Sequence, residues 1–145
     1  MKMVVQRVNE AQVTVEGEVV GSIGPGLLVL VCFEQGDDDT SIAKAVDKVS
    51  KLRIFDDEAG KMNLDINTVK GEILSVSQFT LSWDGSGGHR PSFEKSMLPQ
   101  EARLKYALFN RDLRQKGIVV KEGKFGAFMK VSLINDGPVT FILDF

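Results

Sequence analysis

Cysteine, histidine, tryptophan and tyrosine occur once each in this 145-residue sequence. The lone Cys32 cannot close a disulfide within the chain, which suits a reducing compartment. With Cys32 and His89 the only ligands of their kind, the usual zinc sets cannot be assembled, and neither a metal nor a cofactor is expected. A Ser-His-Asp hydrolase would need its imidazole held rigidly, yet His89 lies in the glycine-rich stretch Ser82-Trp83-Asp84-Gly85-Ser86-Gly87-Gly88-His89-Arg90-Pro91. That stretch also lacks the Gly-Lys-Ser/Thr ending of a phosphate-binding loop, so it reads as a mobile surface segment. No apolar run approaches the roughly 18 residues of a membrane span, and the polar Gln6-Arg7 follows Met1 too soon for a signal peptide. No membrane association and a cytoplasmic location are therefore expected. An excess of basic charge is missing too: 18 Lys and Arg stand against 20 Asp and Glu, which argues against broad, sequence-blind adhesion to nucleic acid. Any RNA contact must be local. Lys44, Lys48 and Lys51 share a helical face, but such a stripe reads as solvated surface.

What is present is the composition of one globular domain over residues 1–145, 43% hydrophobic and 26% charged. Met3 to Val8, Gln12 to Glu16 and Glu18 to Ile23 read as strands of a meander. After the Gly24-Pro25-Gly26 turn, the unbroken apolar run Leu27 to Phe33 predicts a central strand buried on both faces, with Cys32 as a structural thiol inside it. A first helix, capped by Asp39 or Thr40 and ending near Arg53, buries Ile42, Val46, Val49 and Leu52. A second opens near Pro99, buries Ala102, Tyr106, Phe109 and Leu113, and stops at Gly117. A strand is predicted over Glu72 to Leu81, and further strands over Ile118 to Val120, Phe128 to Ile134 and Val139 to Leu143. The fold class is α+β: a curved, barrel-like, largely antiparallel sheet with two helices outside. The acidic loop Asp56 to Lys61 lacks the twelve-residue ligand pattern of a calcium site.

Two segments carry chemistry. In Ser77-Gln78-Phe79-Thr80-Leu81, hydroxyls and amides interrupt an apolar run where a strand leaves the core; backbone amides around Gln78 and Phe79 could bind an oxyanion. Ser77 or Thr80 could attack an ester only with a base beside it, and the sequence offers none. In Asn135-Asp136-Gly137-Pro138-Val139-Thr140, a side-chain-free Gly137 and a donor-free Pro138 can present carbonyl oxygens to a ligand without obstruction. From residue types alone, an ordinary strand end with hydroxyls bonded to neighbouring backbone is the favoured reading of Ser77 to Leu81.

Together with Val4-Val5-Gln6-Arg7-Val8, Leu52-Arg53-Ile54-Phe55, Gly71-Glu72-Ile73-Leu74, Arg90-Pro91-Ser92-Phe93 and Phe125-Gly126-Ala127, these segments resemble the D-aminoacyl-tRNA deacylases along essentially the whole chain. The resemblance implies a tRNA-editing esterase that frees D-amino acids, and glycine mischarged on tRNA(Ala), while rejecting L-aminoacyl-tRNA. It implies a homodimer in which Gly137 and Pro138, joined by a cis peptide, enter the partner's active site. Ser77, Gln78, Phe79 and Thr80 would line the pocket for the terminal adenosine, Arg7 would hold the Gly-Pro segment, and Phe125, Gly126 and Met129 would border the site. Catalysis would be assisted by the 2′-hydroxyl of the tRNA. A non-catalytic dimeric nucleic-acid-binding module is the alternative to be weighed.

Overall fold

The computed structural model describes residues 1–145. Its sheet is built around one long strand, β1 (Lys2–Val15), whose neighbours are β2 (Glu18–Ile23), β3 (Gly26–Cys32) and the 15-residue β8 (Lys130–Asp144), all antiparallel to it. Beyond β3 lie β6 (Glu72–Ser77) and β7 (Val119–Glu122), each added in parallel, giving the order β2-β1-β3-β6-β7 with β8 on β1. The sheet curls until its ends nearly meet. An added Cβ at Gly21 of β2 would come within 2.6 Å of the Glu122 carbonyl of β7, so only glycine allows that approach. Two helices, α1 (Asp39–Ser50) and α2 (Pro99–Gln115), and a two-strand ribbon of β4 (Phe55–Asp56) and β5 (Met62–Leu64) complete the fold. Neither helix is long and apolar enough to cross a membrane.

Strand alternation divides the core in two. Leu27, Val29 and Val31 of β3 pack with Ile42, Val46, Val49, Phe109 and Leu113 of the helices; Leu28, of the opposite parity, packs with Val8, Val13, Ile23, Leu74 and Val76 inside the curl. This is why β3 reads as a continuous apolar run. Met3 and Val5 join the helix-side cluster, whereas Ala11, Val13 and Val15, of the same parity, join the inner one. Shifts of register between Gln6 and Glu10 exchange the faces of β1.

Several boundaries differ from the sequence reading. The first two expected strands are one, because residues 9–11 hold no glycine or proline and the chain bends through bulges instead of turning. The last two are likewise the single β8, with Gly137 and Pro138 inside it. α1 is capped by Asp38, whose carboxylate accepts from the Ser41 amide at 2.9 Å, and it ends at Ser50, leaving Leu52 half-buried beyond it. β6 stops at Ser77, and Phe79–Ser82 forms a short 3-10 turn. The acidic loop is the turn between β4 and β5, where the Asp57 carboxylate accepts from the amides of Ala59 and Lys61. Lys44 and Lys48 lie exposed on α1, and the exposed Lys51, just past its end, pairs with Asp47.

Candidate functional site

A cavity of about 700 Å³, a size suited to a small-molecule or nucleoside ligand, opens at the C-terminal ends of β3 and β6. Its base is Val31, Cys32, Val76 and Ser77; one wall is Gln78, Phe79 and Phe93, another Met97, Pro99 and Ala102 at the start of α2, and the last runs from Phe125 to Met129. The lining is mainly apolar, with Ser77, Gln78, Gln35, Ser96 and Glu94 as its polar groups. Phe79 and Phe93 meet edge to face, with ring centroids 5.0 Å apart. Phe125 is backed by the buried Tyr106 ring at 5.8 Å, and the Tyr106 hydroxyl donates to the Ser75 carbonyl at 2.7 Å. One side chain thereby ties β6 to the opposite wall.

The 3-10 turn decides what the Ser77–Thr80 segment can do. The Gln78 amide donates to the Val31 carbonyl at 2.8 Å, so it is already engaged. Donors for an oxyanion are therefore sought at Phe79 and Thr80, since the opening amides of a 3-10 turn have no partner within it. Thr80 Oγ1 accepts from Gln78 Nε2 at 2.5 Å, and an amide is no base. Thr80 is exposed and does not line the cavity. The Cys32 thiol does, but burial, and after it the Glu34 carboxylate, pushes it up to about 11. It stays protonated at neutral pH and is a poor nucleophile.

The second motif lies elsewhere on the chain. Residues 136–139 are looped out of the β1·β8 ladder, which runs from the Gln6·Thr140 pair directly to Val8·Asn135. The corner is tightly held. Arg7, only 7% exposed, donates through Nε to the Asp136 carbonyl at 3.0 Å and through Nη1 to the Ile54 carbonyl at 2.7 Å, with the carboxylates of Asp56 and Asp136 at 3.3 and 3.2 Å. Asn135 spans the loop, accepting from the Val139 amide at 2.7 Å and donating to the Val139 carbonyl at 3.2 Å. Gly137 and Pro138, joined by a cis peptide, are exposed at its tip. None of Arg7, Gly137 and Pro138 lines the cavity of their own chain.

With the geometry established, comparison with known proteins is informative. Residues 4–144 match the family model described as D-Tyr-tRNA(Tyr) deacylase. The chain belongs to this family. Its D-aminoacyl-tRNA deacylase relatives include one from Lactobacillus acidophilus, 53% identical over 144 residues covering 99% of both chains, and one from Geobacillus sp. (strain WCH70), 55% identical over 144 residues covering 99% of this chain and 95% of the relative. Among solved structures, the c-Myc DNA Unwinding Element Binding Protein superposes with a TM-score of 0.93 at 42% identity, covering 99% of this chain and 98% of the other. A probable eukaryotic D-amino acid tRNA deacylase shares the fold at a TM-score of 0.87 and 17% identity, with the same coverage.

Within this deacylase-family fold, the residues singled out from the sequence fall into two groups. Ser77, Gln78, Phe79, Phe125, Gly126 and Met129 come together around the cavity; Arg7, Gly137 and Pro138 come together at the corner. Sequence reasoning did not single out Phe93, Met97 and Phe128 as lining residues. Phe128 was read as the first residue of a strand, whereas the strand begins at Lys130 and leaves Phe128 87% exposed at the cavity rim. His89 is exposed in its loop, where Asp84 binds Lys95 at 2.6 Å and is held below the usual carboxylate range chiefly by that contact.

Proposed function

We propose that the protein hydrolyses D-aminoacyl-tRNA to a free D-amino acid and tRNA. The observation that carries this reading is the match of residues 4–144 to the family, joined by relatives about half identical over nearly their whole length that bear that name. The cavity suits it: a largely apolar cavity walled by two edge-to-face phenylalanines can hold an adenine ring, and the open amides of the 3-10 turn can receive an ester carbonyl.

In this reading the corner of one protomer enters the cavity of its twin in a homodimer. The support is complementarity: a concave site without a chiral filter on one surface, and an exposed Gly137-Pro138 tip held by hydrogen bonds on another. Carbonyl oxygens aimed at the α-carbon would exclude any L side chain whatever its chemistry, while a D side chain points away and glycine has none to exclude. Each tenfold of discrimination needs about 1.4 kcal/mol, which a steric clash supplies readily. Glycyl-tRNA, including glycine mischarged on tRNA(Ala), is then also a substrate. Because Thr80 is bonded only to an amide donor, assistance by the 2′-hydroxyl of the terminal ribose is favoured over a protein nucleophile. The cytoplasm, where charged tRNA is used, is the fitting compartment.

A paired assay tests this. D-aminoacyl-tRNA and glycyl-tRNA are expected to lose their amino acid while the L-form survives, and a 2′-deoxy terminal adenosine should be cleaved far more slowly. Equal hydrolysis of D- and L-forms would remove the chiral filter, and unchanged cleavage of the deoxy substrate would remove the 2′-hydroxyl's role. The name of the 42%-identical structure favours a second reading, a non-catalytic module that binds nucleic acid. Intact nucleic-acid binding without turnover of any aminoacyl-tRNA would select it.

A further inference from the structure

Arg103 is set apart from most of the other arginines. Arg7, Arg53, Arg111 and Arg114 each donate to oxygens of this chain. Arg103 forms no ion pair and is exposed; its guanidinium carbon sits 5.0 Å above the centre of the Phe125 ring. The sequence explains the missing partner. On α2 the positions three and four away are Gln100, Pro99, Tyr106 and Ala107, none of them acidic, while Glu101, two residues off, projects from another face. Stacking supplies the order that an ion pair would otherwise give. Phe125 is fixed from behind by Tyr106, so the guanidinium rests on an anchored ring with its donors free. It also lies at the cavity mouth: one of its terminal nitrogens is 4.0 Å from where a Cβ on Gly126 would be, and Gly126 and Phe125 both line the cavity. Lys124, next in the chain, is exposed and likewise makes no ion pair.

An unpaired, preorganised cation at the rim of a ligand cavity, on a chain of formal net charge −2, calls for an anion from outside. Resting on the deacylase reading, the chemistry of the substrate limits which one. At the acylated end of a tRNA the carboxyl group is esterified and neutral, and the α-amino group is cationic. The anion within reach is the phosphodiester joining the terminal adenosine to the preceding nucleotide. We propose that Arg103, on the ring of Phe125 and with the exposed Lys124 preceding that ring in the chain, binds that backbone phosphate and thereby orients the single-stranded end of the nucleic acid as it enters the cavity.

The test compares two substrates with the same ester, D-aminoacyl-tRNA and D-aminoacyl-adenosine, which has no phosphate. Arg103→Gln should lower kcat/KM on the tRNA about fivefold to tenfold, through KM, with less than about a twofold effect on the nucleoside. The slope of log(kcat/KM) against log(salt) on the tRNA should fall by about 0.7, one phosphate contact to a single strand. Arg103→Lys, which keeps the charge, should restore most of that slope. Equal losses on both substrates would mean that Arg103 acts only by packing on Phe125, and an unchanged salt slope would overturn the phosphate contact. If the unaltered protein cleaved neither substrate, the deacylase reading itself would fall and this inference with it.

Discussion

The cavity and the Gly137-Pro138 corner are built on opposite principles. The cavity is shaped by side chains: its walls are rings and aliphatic groups from separate segments, and its polar groups are the side chains of Ser77, Gln78, Gln35, Ser96 and Glu94. The corner is shaped by backbone, looped out of a ladder and fixed by Arg7 and Asn135 through hydrogen bonds to main-chain atoms. Side-chain surfaces adapt when one residue changes. A backbone surface fixed from beneath does not, and it presents the same atoms whatever approaches it. A site that must accept many side chains and only one handedness needs the second kind of surface as its filter and the first as its container.

The comparison breaks most severely at Gly137. Its φ of +149° is one that residues with a side chain rarely adopt, and an added Cβ would stand 2.5 Å from a methyl carbon of Val139 and 2.6 Å from its amide nitrogen. The corner must move to accommodate alanine. Gly137→Ala is expected to lower D-aminoacyl-tRNA hydrolysis by about a hundredfold, the scale of a misplacement near 1 Å, at a stability cost of about 1–3 kcal/mol. Steady-state rates beside urea denaturation would show it; full activity with a folded variant would separate the corner from the site.

Arg7 comes next. Its carboxylate partners, Asp56 and Asp136, are half exposed, so water screens much of those pairs, and the buried Ile54 carbonyl and the partly buried Asp136 carbonyl carry most of the energy. Arg7→Ala should cost about 2–3 kcal/mol in a urea melt by leaving those acceptors unpaired. Arg7→Lys should recover only part, because an ammonium cannot fork between two carbonyls as a guanidinium does. Activity should fall more than stability alone explains, since the released corner is the proposed filter. A variant with native activity and lowered stability would show the anchor to be structural only.

How far these regions could be read from the sequence follows the same division. The unbroken apolar run Leu27 to Phe33 and the period-3.6 patterning in both helices announced the core, because burial of side chains is what such patterns record. The cavity was partly legible: Ser77, Gln78 and Phe79 stood out as polar or aromatic breaks at a strand end, but the end of β6 at Ser77 and the engagement of the Gln78 amide by Val31 are backbone facts with no residue-type signature. Nor could spacing assign Phe93, 14 residues beyond Phe79, as its ring partner. At the corner, Gly-Pro signalled a turn, whereas the structure keeps β8 continuous through it. The contribution of Arg7 from 129 residues away was implied by family resemblance and by nothing local.

The smallest expected effect sharpens the picture on the cavity side. Burial pushes the Tyr106 hydroxyl up to about 12 and the Cys32 thiol up to about 11. Both are therefore held in their protonated form by the fold, above their unfolded values of about 10 and 8.5. The unfolded chain loses these protons first, so the stability they confer is complete below about pH 8.5 and is lost as pH rises through about 11 and then 12. Urea midpoints followed by circular dichroism should stay flat from neutrality to that point and then decline. Tyr106→Phe removes the hydrogen bond to Ser75 and should cost about 1 kcal/mol at pH 7, yet it should flatten the upper part of the decline; Cys32→Ala should flatten the lower part. An unchanged alkaline slope in both variants would mean that neither buried proton contributes. Deacylation by Tyr106→Phe should remain within a few-fold of the parent, because the Phe125 wall keeps its ring contact and a side-chain surface can settle around a lost hydroxyl where the backbone corner could not.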